Sequence, residues 1–81
     1  MTYEPAKQWI AFVLPQAFSK ARLTLSPATD ADEEIKVNVA PDATPRHTVS
    51  TGQLPKGTWR VFLEWLERSQ WYQDEMEIVI R

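Results

Sequence analysis

Thr58-Trp59-Arg60-Val61-Phe62-Leu63-Glu64-Trp65, followed through Leu66-Glu67-Arg68-Ser69-Gln70 by Trp71-Tyr72-Gln73-Asp74-Glu75-Met76-Glu77-Ile78-Val79-Ile80, reads as one long aromatic β-hairpin. Side chains alternate across a strand, so Trp59, Val61, Leu63 and Trp65 share one face of the first arm, and Arg60, Phe62, Glu64 and Leu66 share the other. In the second arm Tyr72, Met76, Ile78 and Ile80 form the apolar set, interrupted only by Asp74. Trp71, Gln73, Glu75, Glu77, Val79 and Arg81 oppose it. A four-residue loop over Glu67 to Gln70 pairs Trp65 with Tyr72, Val61 with Met76 and Trp59 with Ile78, so the apolar faces coincide and Arg60 falls opposite Glu77. A slip of one residue sets Glu75 opposite Val61 and turns one core face outward, so the pattern selects its own register. Leu63 then lies opposite Asp74, a poor match that predicts a bulge or a polar partner.

Upstream, Lys7 to Leu14 is apolar on both faces and closed by Pro15, which suits a strand buried on two sides. Tyr3-Glu4-Pro5 reads as a lead-in, giving residues 1–6 as an N-terminal tail and 7–81 as a single β-sandwich domain. Ala17 to Lys20 makes a turn, after which Ala21, Leu23 and Leu25 alternate with polar residues as a half-buried strand. Ile35, Val37 and Val39 follow a polar connection in the same way, ended by Pro41, Asp42 and Pro45. Arg46 to Thr51 reads as a further short strand around Val49, and Leu54-Pro55-Lys56-Gly57 as a turn into the hairpin. Val61 to Gln70 taken alone could be helical, but its Val, Phe and Trp favour the strand. The expected fold is all-β: a small antiparallel two-sheet sandwich of five to seven strands, immunoglobulin-like in architecture, with a partial barrel as the other closure.

A chain of 81 residues supports one modest core and has no room for a second domain. With 43% hydrophobic and 25% charged residues it has the composition of a folded chain. Nine basic and eleven acidic side chains give a net charge of −2 without a block of either sign, which argues against nucleic-acid binding. The absence of cysteine removes disulfides, thiolate nucleophiles and most structural zinc designs. No stretch approaches the roughly 18 apolar residues of a membrane span, and Met1 to Gln8 lacks the pattern of a signal peptide, so soluble behaviour is expected.

The reactive inventory is short. His47 is the sole histidine, and one imidazole without a second ligand nearby seldom holds a metal. The acidic run Asp30, Asp32, Glu33 and Glu34 lacks the glycine spacing of an EF-hand loop and reads as solvated. Asp74, Glu75 and Glu77 could in principle supply a general acid and base, but alternation separates Asp74 from the other two, which read as a charged outer face. Gly52 and Gly57 belong to no phosphate-cradling loop, and no serine sits in a nucleophile-elbow pattern. The expectation is therefore no enzyme activity, no cofactor and no metal. What stands out is four tryptophans, three of them in the hairpin. Trp59 and Trp65 fall on the core face. Trp71 falls on the outer face with Phe62, Leu66 and Val79, an apolar strip that either packs under another segment or is presented to a partner, and Phe62 and Trp71 are the candidate contact residues.

The run Leu54-Pro55-Lys56-Gly57-Thr58-Trp59-Arg60-Val61-Phe62-Leu63-Glu64-Trp65, with Trp71-Tyr72-Gln73-Asp74-Glu75 and the closing Glu77-Ile78-Val79-Ile80, resembles the C-terminal end of the FixH family. Trp9 to Pro15, Ala21 to Ser26 and Asp32 to Val39 resemble that family's earlier strands more loosely. The resemblance implies an extracytoplasmic β-sandwich, in the family normally preceded by a membrane helix that this chain lacks, associated with assembly of cbb(3)-type cytochrome oxidase alongside a copper-transporting ATPase. It implies an accessory role with protein partners, possible oxidase or copper-transport components among them, and no catalytic motif to carry over. Copper carriage by the chain itself is disfavoured, since copper(I) prefers thiolate or thioether ligands and the chain has no cysteine and two methionines. The expected function is thus a non-enzymatic accessory domain acting through a sheet face or edge. The alternative from another class is a carbohydrate-binding module stacking a sugar on Trp71 and its aromatic neighbours. A small hydrolase using Asp74 or Glu75 ranks last.

Overall fold

In the computed structural model, which describes residues 1–15, 17–29, 33–41 and 45–81, seven strands follow one another: β1 (Thr2–Glu4), β2 (Trp9–Val13), β3 (Phe18–Pro27), β4 (Ile35–Val39), β5 (Arg46–Ser50), β6 (Gly57–Glu67) and β7 (Gln70–Ile80). They form two sheets in the orders β1-β2-β5 and β4-β3-β6-β7, and every neighbouring pair is antiparallel. Lettered A, B, C, C′, E, F and G, these strands set A-B-E against C-F-G as in immunoglobulin-like sandwiches, with the fourth strand beside the third, as C′ is in variable-type domains. Asp30 and Asp32 of the acidic run, and Asp42, lie outside the described residues.

The hairpin has the register its pattern selects: Trp65 faces Tyr72, Val61 faces Met76, Trp59 faces Ile78 and Arg60 faces Glu77. Its loop is shorter than expected. Glu67 and Gln70 pair with each other, leaving Arg68 and Ser69 as the two loop residues, both left-handed with φ of 52° and 67°. Positive φ at both positions is what a type I′ turn requires, and its twist matches that of the strands it joins. The centre of the turn is the same for a two- and a four-residue loop, so the register is unaffected. Leu63 does face Asp74, with no shift between β6 and β7. The polar partner expected there is the amino nitrogen of Met1, 3.9 Å from the Asp74 carboxylate.

A bulge occurs instead in β3, where the pairing with β6 shifts between Phe18 and Lys20. One extra residue reverses the alternation, so Phe18 points inward with Ala21, Leu23 and Leu25 although Lys20 points outward. This corrects the assignment of Phe18 to a turn. Residues 1–6 also differ from the expected tail, since Thr2–Glu4 pairs with Trp9–Ala11 as an edge strand. Three residues, Thr2-Tyr3-Glu4, carry too little alternation to announce such a strand; Trp9 holds it by donating its indole N–H to the Glu4 carboxylate. Ile10 and Phe12 of β2, and Leu14 just after it, are core residues and Ala11 is buried behind them, but Val13 is 70% exposed, so burial on both faces stops short of the strand's end.

Ile10, Phe12 and Leu14 from the three-stranded sheet meet Phe18, Ala21, Leu23, Leu25, Trp59, Val61, Leu63 and Ile78 from the other. Trp59 is 3% exposed and donates its Nε1–H to Pro55 O at 2.9 Å. A ring at the start of the sixth strand bonded to backbone four residues upstream does here what a tyrosine corner does in related sandwiches: it pins the crossing between the sheets. Strand lengths then decide what the core leaves uncovered. β6 and β7 have 11 residues each, about 36 Å of chain, whereas β2 and β5 have five each. The short sheet cannot cover the turn end of the hairpin. Tyr72, expected in the core, is therefore 41% exposed, stacked on the half-buried Trp65 at 5.7 Å.

The two left-handed loop residues carry a stereochemical cost that asparagine and glycine would relieve. Replacing Arg68-Ser69 by Asn-Gly should stabilise the protein by about 1 kcal/mol, a rise of about 4–8 °C in the melting midpoint. A thermal unfolding curve with no gain, or with a loss, would show that the turn is not of this type.

Candidate functional site

The outer face of the four-stranded sheet is built of cross-strand rows that the register defines. Nearest the turn, Lys20, Leu66 and Trp71 stand side by side. The next row is Asn38, Arg22, Glu64 and Gln73, and the one after it Lys36, Thr24, Phe62 and Glu75. Beyond these come Ser26, Arg60 and Glu77, then Thr58 and Val79. Alternation along each strand keeps all of them on the side away from the core.

This arrangement divides the apolar strip expected from the sequence. Phe62 and Leu66 lie four residues apart on β6, about 13 Å, so Phe62 and Trp71 are not neighbours. The polar row of Arg22, Glu64 and Gln73 lies between them, and Val79 stands at the far end of the strand. Phe62 is half-buried between Thr24 and Glu75, whereas Trp71 is 57% exposed. Trp71 is thus not packed under another described segment.

Around Trp71 the face is grooved. Ser19, Lys20, Arg22, Asn38, Glu64 and Trp71 line a depression of about 580 Å³. Arg22 donates from both Nε and Nη2 to Glu64 Oε1, at 2.8 and 2.5 Å, fixing two planar polar groups beside the indole. Such an exposed cross-strand pair adds roughly 0.2–1 kcal/mol to stability. Its more useful effect here is to hold a donor and an acceptor in place next to an apolar plate. Sequence alone pointed to Trp71 but not to Lys20, Arg22 or Asn38, because they come from β3 and β4 and their placement depends on the strand order.

The remaining candidates are dispersed. His47 lies opposite Phe12 on β5, with its ring stacked on Phe12 at 5.6 Å and met edge-on by Phe18 at 5.8 Å. Its Nε2 is buried without a hydrogen-bond partner, and among the described residues no group of three or more histidine, cysteine, aspartate or glutamate side chains is placed to hold a metal. Asp74 lies on the inner side of the alternation and Glu75 on the outer, and Asp74 Oδ1 accepts the Glu75 N–H at 2.9 Å. Met76 is half-buried against the core.

Comparison of the chain with protein-family models, with curated proteins and with solved structures gives no match. None of the three identifies a FixH family.

The two hairpin tryptophans should separate cleanly by mutation. Trp59→Ala empties a core position and should cost about 3–5 kcal/mol, whereas Trp71→Ala should cost less than about 1 kcal/mol. Urea unfolding of the two variants measures both, and equal losses would mean that Trp71 belongs to the packing.

Proposed function

We propose that this chain is a non-enzymatic accessory domain that binds a protein partner through the turn end of its four-stranded sheet, with Trp71 as the anchor. The observation that carries this reading is an indole left 57% exposed on a hairpin whose other arm gives Trp59, Val61 and Leu63 to the core. Tryptophan is enriched among the residues that dominate binding energy, above all where polar groups rim it, and Lys20, Arg22, Glu64 and Asn38 provide that rim. Phe62 contributes as a half-buried support for the face rather than as a second anchor.

The FixH resemblance supplies the class of partner: components of cbb(3)-type oxidase assembly or copper transport on the extracytoplasmic side of a membrane, with copper handled by those partners. No helix among the described residues is long and apolar enough to cross a membrane. Affinity purification of tagged protein from its host tests the reading. Oxidase or copper-ATPase subunits should copurify with the wild type and be lost with Trp71→Ala, while an eluate without them would contradict the implied role.

A carbohydrate-binding module is favoured by one specific observation, the fixed Arg22–Glu64 pair beside the exposed indole, since sugars stack on aromatic faces and take planar polar groups at their hydroxyls. A glycan array distinguishes it: binding abolished by Trp71→Ala would establish this reading, and a blank array would remove it.

A further inference from the structure

β7 is paired on one side only. Its neighbour is β6, and among the described residues no strand pairs with its other edge. In the type I′ turn the Glu67 carbonyl accepts the Gln70 N–H, so alternate positions from Gln70 to Ile80 bond to β6. The backbone groups of Trp71, Gln73, Glu75, Glu77 and Val79 consequently point away from the sheet. The Glu75 N–H bears this out by bonding to the side chain of Asp74 rather than to β6. Tyr3 of β1 and the following Pro5 line a cleft of about 550 Å³ together with Val79, Ile80 and Arg81.

The side chains along this edge have a definite order. Of the five large hydrophobic side chains the described residues expose, three are on β7: Trp71 and Tyr72 at its start and Val79 near its end. Between them stand Asp74, Glu75 and Glu77, all exposed. Asp74 has the Met1 amine at 3.9 Å, but among the described residues neither Glu75 nor Glu77 forms an ion pair, and Arg60 opposite Glu77 does not reach it. A second copy of the chain pairing with β7 about its centre would bring these carboxylates against their own kind, which destabilises cross-strand pairing.

We propose that the free edge of β7 takes up an extended segment of a protein partner as an added strand, basic at its centre and apolar at both ends. The main-chain groups of the odd-numbered residues supply the hydrogen bonds, Glu75 and Glu77 select lysine or arginine, and Trp71, Tyr72 and Val79 take the flanking apolar residues. The same carboxylates that repel a second copy therefore choose the occupant. This inference rests on the reading of the chain as an interaction domain and specifies the mode of that interaction.

The probe is a synthetic peptide in which lysine alternates with threonine between terminal valine and tyrosine residues, titrated into the full chain and followed by amide chemical shifts. Binding should shift the amides of Trp71, Gln73, Glu77 and Val79, weaken as salt is raised, and exceed by at least about tenfold the binding of the same peptide with glutamate for lysine. Glu77→Pro removes an outward N–H without touching the β6 ladder and should abolish binding. Glu75→Lys combined with Glu77→Lys turns two negative positions into two positive ones and should reverse the preference between the two peptides, which decides the matter if the proline variant does not fold. Equal binding of the two peptides, shifts confined to Leu66 and the Trp71 side chain, or a β7-dependent dimer in sedimentation would each overturn the proposal. Copurification of partner subunits with the wild-type chain reports on the interaction reading separately: capture that survives Glu77→Pro upholds that reading and overturns the edge proposal.

Discussion

The fold depends on the pairing of β6 with β7 in the one register that puts Trp59, Val61, Leu63, Met76 and Ile78 on the same face. Everything else is fitted to that face. β3 lays Leu23 and Leu25 beside Leu63 and Val61, and the short sheet supplies Ile10, Phe12 and Leu14 as the opposing layer. A shift of one residue would bury Glu75 in place of Met76, so the register is held by the cost of burying charge as much as by apolar contact. Two left-handed residues, Arg68 and Ser69, let the arms return without splaying.

The second constraint is the inequality of the sheets. A hairpin with arms of 11 residues set against strands of five must extend past its cover. The residues nearest the turn are those left out: Tyr72 stacks on Trp65 without being enclosed, and Trp71 stands on the far face beside Leu66. Strand length thereby converts a core-forming hairpin into one with a presented end. The molecule's longest dimension, 36 Å, is about the length of that hairpin.

How much of this was legible in the sequence can be judged residue by residue. Period-two alternation gave the β6 and β7 pairs, the half-buried β3 and β4, and the all-β class, because each of these is a local pattern on a long strand. Phe18 was misplaced because a bulge at the start of β3 breaks the alternation from which its side would be read. β1 was missed because three residues carry no periodicity and the strand exists only through its pairing with β2. The same reason explains the site. Trp71 was visible as an outward aromatic, but its separation from Phe62 and its grouping with Lys20, Arg22 and Asn38 follow from the order β4-β3-β6-β7, which no single segment encodes.

Two surface features distinguish the molecule: an indole plate with an ion pair beside it, and a strand edge lined with carboxylates. Both follow from β7 being held by β6 alone, in this register. Amide hydrogen exchange along β7 in the free protein measures that arrangement most directly. The amides of Tyr72, Asp74, Met76 and Ile78 should be protected while those of Trp71, Gln73, Glu77 and Val79 exchange freely. Uniform protection, or protection on the opposite set, would contradict both the register and the open edge.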